Sequence, residues 1–203
     1  MRIAINVAAF YAAWFAAVLA AAKGWPWAAV GVCLAVAALH LMLSARRGVE
    51  IGLMIASALA GFGVETLLMQ AGLATYASSG PLDGFAPIWL VALWMAFATL
   101  FNISLAWLKP RLWLAIVLAF AGGPASYFAG AKLGGMELAE PVWVSLAAIG
   151  VLWAIAFPIL LIIARLSDPE PSDASVKTTG SAPTAGRSTS AGSPASRAST
   201  SGR

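Results

Sequence analysis

Long apolar runs separated by short polar segments occupy most of residues 1–165. Each run is about 20 residues long, the length at which an α-helix crosses about 30 Å of hydrocarbon. Because lipid offers the backbone no hydrogen-bond partners, each run is predicted to be a helix. The pattern therefore predicts an all-α membrane bundle of about six transmembrane helices, at residues 3–22, 25–43, 51–70, 87–108, 112–132 and 141–164.

The composition supports a membrane protein. The chain has 203 residues, of which 61% are apolar and 10% charged, whereas soluble domains have about 45–50% apolar and about 25% charged residues. The single Cys33 and the single His40 exclude an internal disulfide and argue against a His/Cys metal site. We expect no cofactor and no metal. Nucleic-acid binding is rejected, because the bases lie at span ends and along the C-terminal segment.

The basic residues predict the orientation. Grouping the connections by side places six bases on one side, Arg2, Arg46, Arg47, Lys109, Arg111 and Arg165, and only Lys23 and Lys132 on the other. The positive-inside rule then predicts that both termini are cytoplasmic and that the polar loop 71–86 faces outward. Tryptophans at the span ends predict interfacial belts, with Trp25, Trp27, Trp89 and Trp143 outside and Trp107 and Trp113 inside.

The two ends of the chain differ from the spans. Residues 1–165 are assigned to the transmembrane domain, and residues 166–203, rich in Ser, Thr, Ala, Gly and Pro, are predicted to be a disordered cytoplasmic tail. Arg2 and the apolar stretch up to Ala22 resemble a secretory signal peptide. The run is long for a signal core and contains Asn6, Tyr11 and Trp14, so we expect it to be a retained first span.

Glu65 is the one acid placed deep within a predicted span. A charge at that depth costs on the order of 3 kcal/mol, so the side chain must face protein, pair or stay protonated. A protonated Glu65 would donate a hydrogen bond, and the residues at similar depth or nearby predict an intramembrane polar cluster of Glu65, Gln70, Tyr127 and Lys132. Glu65 and Tyr127 are the candidate catalytic residues. The alternative is that Glu65 only joins helices.

A second polar layer is predicted near the inner surface. It contains Asn6, His40, Thr99 and Asn102, which lie within roughly 10 Å of that surface by residue count. His40 stands near a span end, where an interfacial residue is the alternative to a proton carrier.

Small residues at helical spacing predict close helix packing. Ser57, Gly61 and Glu65 share one stripe of the third span, and Gly122, Ser126, Gly130 and Gly134 recur every four residues around the fifth. Gly123 and Pro124 predict a kink, which could open a cavity near Glu65 or could serve packing alone.

Several motifs carry a resemblance to a known family. They are Glu65-Thr66-Leu67-Leu68, Gln70-Ala71-Gly72, Pro87-Ile88-Trp89-Leu90 through Trp94, Phe97-Ala98-Thr99-Leu100, Ser104 through Leu108, and Gly123-Pro124 with Tyr127, Gly130 and Leu133-Gly134. Over most of residues 1–165 the chain resembles small bacterial inner-membrane proteins that form a domain of unknown function. The resemblance implies a bacterial inner membrane location and assigns no residue a role.

Three functions stay open from the sequence. The first is an accessory or structural membrane protein in envelope or lipid homeostasis. The second is a small membrane enzyme that acts on a lipid or isoprenoid substrate with Glu65 as acid/base. The third is a transporter, which the lack of an internal repeat disfavours. The expected partners are membrane lipids, with a second copy of the chain or another membrane protein also possible.

Overall fold

A computed structural model describes residues 2–78 and 84–168 of the protein, so the predicted tail lies outside the described part. Six α-helices occur there: α1 (Arg2–Ala22), α2 (Pro26–Leu43), α3 (Arg47–Gln70), α4 (Ile88–Phe97), α5 (Leu112–Lys132) and α6 (Val142–Leu166). Two short strands, β1 (Ala74–Tyr76) and β2 (Met136–Leu138), pair antiparallel. Five of the helices, all except α4, are long and apolar enough to cross a membrane, which confirms the predicted all-α membrane bundle.

Helix α4 lies at the centre of the bundle. It packs against α1, α2 and α3, while α5 and α6 pack against each other and α6 also contacts α3. Trp94 on α4 meets Trp153 on α6 with ring centroids 4.8 Å apart. Because α4 is surrounded by protein, its side chains are mostly buried, as Trp89, Leu90 and Ala96 show.

The fourth predicted span, residues 87–108, is not one continuous helix. After α4 ends at Phe97, the chain forms a 3₁₀ turn at Ala98–Leu100, irregular turns, and a second 3₁₀ turn at Ala106–Leu108. Polar side chains accompany this break: Thr99 Oγ1 donates to the Ala96 carbonyl at 2.7 Å, a local bond that competes with helical backbone pairing, whereas Asn102 and Ser104 hydrogen-bond to Glu50 and Asn6 on other helices. Irregular backbone is tolerated at membrane depth where protein covers it, and Phe101, Ser104 and Leu108 are indeed buried.

The loop predicted at residues 71–86 folds back onto the bundle at its start. Strand β1 pairs with β2, and the Ala139 amide donates to the Leu73 carbonyl. The Ser78 hydroxyl donates to the Ala21 carbonyl at 2.9 Å. No strand is expected here from the sequence pattern. The pairing matters because it fixes Tyr76, in β1, above the end of α3.

We name the two ends of the bundle by their residues. The basic end carries Arg2, Arg46, Arg47, Lys109, Arg111 and Arg165, and the strand end carries β1 and β2. Five of the six tryptophans predicted to form belts are exposed, namely Trp25, Trp27, Trp107, Trp113 and Trp143. The sixth prediction was wrong: Trp89 is fully buried, because α4 is the central helix rather than a peripheral one.

Candidate functional site

Three donors converge on the buried carboxyl of Glu65. Trp94 Nε1 donates to Oε1 at 2.7 Å, the Tyr127 hydroxyl donates to the same oxygen, and the Tyr76 hydroxyl donates to Oε2. The Glu65 side chain is completely buried. A carboxylate is an acceptor-only group with about four lone-pair sites, so three of them are used by neutral donors. This Glu65 cluster (Glu65, Tyr76, Trp94, Tyr127) lies toward the strand end.

All three residues of the helix stripe, Ser57, Gly61 and Glu65, contact Trp94 of α4. The Ser57 hydroxyl donates to the Trp94 carbonyl at 2.6 Å, Gly61 lies directly against the Trp94 ring, and Glu65 accepts its indole N–H. A Cβ at Gly61 would overlap that ring. The spacing of the stripe therefore holds Trp94 in the orientation that lets it donate to Glu65.

Two residues of the predicted cluster lie elsewhere. Gln70 is exposed at the end of α3, and Lys132 is exposed with its ammonium 5.2 Å from the centroid of the Phe128 ring. Among the described residues, neither makes a hydrogen bond to Glu65. The neighbouring Thr66 accepts from the Ala86 amide at 3.1 Å, which ties the loop to α3.

Sequence reasoning missed Trp94 and Tyr76 as members of the cluster. Tyr76 gave no signal because it stands in a segment predicted to be a loop, and only strand pairing brings it over Glu65. Burial, and after it the nearby Glu65 carboxyl, raise the pKa of the Tyr76 phenol above its ordinary value, so it acts as a neutral donor. Trp94 could have been found, since a tryptophan far from both ends of an apolar run needs a partner for its N–H.

A cleft of about 640 Å³ adjoins the Glu65 cluster. Its walls are α1 and α5, and its floor is formed by α4, by the turns after α4 and by α6. The lining is almost entirely apolar and rich in aromatic rings, among them Phe10, Trp14, Phe97, Trp153 and Phe157. Glu65 and Tyr127 contribute to the wall at the strand end, and Ser104 and Trp107 at the basic end.

The cleft opens on the side of the bundle. Its rim includes the exposed side chains of Tyr11 and Phe15 on α1 and of Leu118 on α5. These residues lie on faces of two membrane-length helices, so the opening faces the region that lipid tails would occupy. Along each wall the cleft spans residues 7–18 and 118–129, which is about 16 Å at the helical rise and about half of the hydrocarbon thickness.

The predicted glycine face of α5 is divided by the structure. Gly123 packs so closely against Trp153 that a Cβ added there would lie 2.6 Å from the ring, and Gly130 lies against Met136. Gly122 is exposed with open space around it and lines the cleft, Ser126 donates to the Gly123 carbonyl, and Gly134 lies beyond the helix with φ of 81°. The predicted face, which consists of Gly122, Ser126, Gly130 and Gly134, is therefore not one packed surface. Helix α5 continues through Pro124.

The predicted second polar layer falls into two groups. Asn6 on α1 donates to the Thr99 carbonyl at 3.2 Å and accepts from the Ser104 hydroxyl at 2.5 Å. His40 and Asn102 belong to a different group, because both lie against Glu50: His40 Nε2 is 3.1 Å from one carboxyl oxygen, and Asn102 Nδ2 donates to the other at 2.9 Å.

Lys109 extends the second group across the basic end. Its buried ammonium donates to Asn102 at 2.6 Å, to the Ala164 carbonyl at 3.3 Å and to Asp168 at 2.9 Å. Arg46 lies 3.7 Å from the same Asp168. This basic-end network (His40, Arg46, Glu50, Asn102, Lys109, Asp168) joins α2, α3, the broken fourth span and the end of α6. Glu50 was not predicted as a member, because it follows two arginines at a span end.

These features define the class of protein. Membrane-length apolar helices around a central short helix, with a buried carboxyl beside a lateral cleft, make it a polytopic α-helical membrane protein. Within the described residues, no group of three or more His, Cys, Asp or Glu could hold a metal.

The family follows from a match over residues 3–159 to the family model described as protein of unknown function (DUF2878). The chain belongs to this family, which confirms the resemblance to a domain of unknown function. No curated protein and no solved structure matches the chain.

Proposed function

We propose that this membrane protein binds a lipid or isoprenoid in the cleft between α1 and α5 and serves lipid homeostasis in a bacterial inner membrane. The observation that carries the proposal is the cleft itself, an apolar space of about 640 Å³ that opens sideways next to a buried carboxyl. Small-molecule sites have about 300–1,000 Å³, are mostly apolar, and contain a few convergent polar groups. An accessory role in the envelope fits a protein that holds such a molecule.

The orientation in this proposal follows from charge. The basic end, with six bases against two near the strand end, faces the cytoplasm. The Glu65 cluster then lies in the outer half of the bilayer, since Tyr127 is five residues, or about 8 Å, from the end of α5. The bound molecule enters laterally from the bilayer and places its chain along α1 and α5.

Gly122 offers a direct way to close the cleft. It lines the cleft, and a Cβ there meets no atom within 4 Å, so Gly122→Phe should fill the space without disturbing the helices. Gly31→Phe on α2 is the matched control, because Gly31 is equally open and lies outside the cleft. Lipids that remain bound after purification should be identified by native mass spectrometry for the intact protein and both variants.

The result expected is an adduct that the intact protein and Gly31→Phe retain and that Gly122→Phe loses. Identical adducts in all three proteins would refute binding in the cleft.

An enzyme is the second candidate function, and the three donors on Glu65 favour it. A carboxyl held by two tyrosines and a tryptophan is positioned to exchange a proton with a group at the cleft wall. Because Glu65 is fully buried and Tyr127 is 4% exposed, Tyr127 would meet the substrate first and Glu65 would act through it. Lipid profiles of strains with intact protein, no protein and Glu65→Gln at matched levels test this. A lipid species lost in both altered strains supports the enzyme, and identical profiles refute it.

A further inference from the structure

The buried polar groups that line the cleft are engaged within the protein. Glu65 is the only acid among the lining residues, and none of them is Lys, Arg or His. The Tyr127 hydroxyl donates to Glu65 and lies within hydrogen-bond reach of the Trp153 indole. Nearer the basic end, the Ser104 hydroxyl donates to Asn6. Because a polar group without partners is costly in apolar surroundings, the cleft suits a hydrocarbon chain and not a headgroup.

Charge distinguishes the two ends of the cleft. Since the side opening faces lipid tails, the headgroup of a bound lipid must lie at one end or the other. The basic end carries six bases, and the acids among its described residues are Glu50 and Asp168. The strand end has two bases and two acids in the described residues, which are Lys23, Lys132, Glu137 and Glu140. The excess of bases favours an anionic headgroup at the basic end.

Two arginines stand where the cleft walls reach the basic end. Arg2 is the first residue of α1, and the carbonyl of the next residue, Ile3, accepts from the lining residue Ser104 at 3.4 Å. Arg111 precedes α5 and donates to the carbonyl of Trp107, another lining residue, at 2.7 Å. Both arginines are exposed, and neither forms a salt bridge with another described residue. A guanidinium has five N–H donors, so both arginines have donors for a phosphate.

We infer that the cleft holds an anionic phospholipid whose headgroup lies at Arg2 and Arg111 and whose chain runs along α1 and α5 toward Glu65. The inference rests on the proposed function and adds the class of lipid and its direction. Both wall helices begin at the basic end, so their N-terminal N–H groups add partial positive charge near the phosphate. The chain occupies the cleft itself, which is about 16 Å long and so about as long as one leaflet is thick.

Two phospholipids with the same acyl chains test the headgroup: phosphatidylglycerol, which is anionic, and phosphatidylcholine, which is zwitterionic. Native mass spectrometry of the intact protein in detergent, at increasing lipid concentration, gives the dissociation constant of each. Each arginine near an anionic headgroup contributes about fivefold, so we expect phosphatidylglycerol to bind about 25-fold more tightly. Gly122→Phe, which fills the cleft, should abolish this preference, because any lipid that it still binds lies on the outer faces of the helices.

Arginine variants assign the preference to the two residues. Arg2→Gln and Arg111→Gln should each lower it about fivefold, and the double variant should bring it close to one. Both positions are exposed, so the fold should be unaffected. Arg165→Gln is the matched control, because Arg165 is an exposed arginine at the same end and does not line the cleft. It should keep the full preference.

The outcomes separate the two proposals. Equal binding of both lipids that Gly122→Phe abolishes overturns the anionic-lipid inference and leaves the cleft as a lipid site. A preference that Gly122→Phe retains, or that Arg165→Gln loses as fully as Arg2→Gln, also overturns it, because the preference then belongs to the surface of the basic end. Absence of binding by both lipids overturns it as well, and the native adducts of the intact protein and Gly122→Phe then decide the proposed function separately.

Discussion

Two glutamates on the same helix, Glu50 and Glu65, are both buried, yet their surroundings differ. Glu50 is met by His40 and Asn102, with the Lys109 ammonium behind Asn102. Glu65, about four turns further along α3, is met only by neutral donors, and among the described residues no base lies in its wall of the cleft. The Glu50 carboxyl thus lies near ionisable side chains, whereas only neutral donors contact the Glu65 carboxyl.

This difference separates a carboxyl that holds helices together from one that lies beside a cleft. A network with cations and anions, tied to a backbone carbonyl of α6, joins four elements at the basic end. The Glu65 carboxyl is instead bound by neutral donors beside a cleft, and Tyr127, one of these donors, lines that cleft. We therefore assign stability to the basic-end network and ligand contact to the Glu65 cluster.

Lys109→Met should have the largest effect on stability. It leaves Asn102 and the Ala164 carbonyl without their donor at a buried position, so the free energy of unfolding should fall by about 3 kcal/mol. Reversible unfolding in detergent measures this, and Lys132→Met, at an exposed lysine, is the control. Equal stability of the two variants would remove the structural role from the network.

Gly61→Ala should destabilise the other region by overpacking. The added Cβ falls on the Trp94 ring, which costs about 2 kcal/mol and withdraws the indole from Glu65. Gly63→Ala on the same helix is matched, since nothing lies within 4 Å of a Cβ there, and it should be neutral or slightly stabilising. Unfolding measurements that fail to distinguish the two variants would show that α3 and α4 do not pack tightly at Gly61.

The same substitution at both glutamates compares the regions directly. Glu65→Gln keeps the shape, and the Tyr76 hydroxyl can rotate to accept from the new amide, so the expected loss is about 1 kcal/mol. Glu50→Gln removes the charge that faces His40 and should cost more. Ligand binding should respond in the opposite order, weakened by Glu65→Gln and unchanged by Glu50→Gln. Parallel unfolding and binding assays check both orders, and a reversed order contradicts the assignment.

Tyr76→Phe should have the smallest effect. It removes one of three donors to Glu65 and should lower the unfolding free energy by about 1 kcal/mol or less. Tyr11→Phe, at a hydroxyl with no hydrogen bond in the described structure and a largely exposed ring, serves for comparison. A Tyr76→Phe protein as stable as Tyr11→Phe would mean that β1 does not hold Tyr76 on Glu65.

The sequence predicted five spans to within four residues at each end, because hydropathy and helix length are sufficient for them. For example, the fifth was predicted at 112–132 and α5 spans Leu112–Lys132. Hydropathy could not predict the break after Phe97, since it does not register the side-chain hydrogen bonds that Thr99, Asn102 and Ser104 make there.

The sequence predicted members of the site only from how deep each residue lies within its span. Glu65 and Tyr127 were paired from their positions along two spans, and they are hydrogen-bonded. Tyr76 reaches Glu65 through a two-stranded pairing of residues far apart in sequence, and Glu50 is buried through partners on two other elements. Neither the contact of Tyr76 with Glu65 nor the burial of Glu50 produces a pattern in the local sequence.

A structure of the intact protein in lipid nanodiscs, bound to an antibody fragment for cryo-electron microscopy, would show directly whether a lipid occupies the cleft. We expect continuous elongated density between α1 and α5, running from Tyr127 and Trp153 toward Trp107, and the loss of that density in Gly122→Phe. Helix α1 packed directly against α5 with no space between them, in the intact protein, would contradict it.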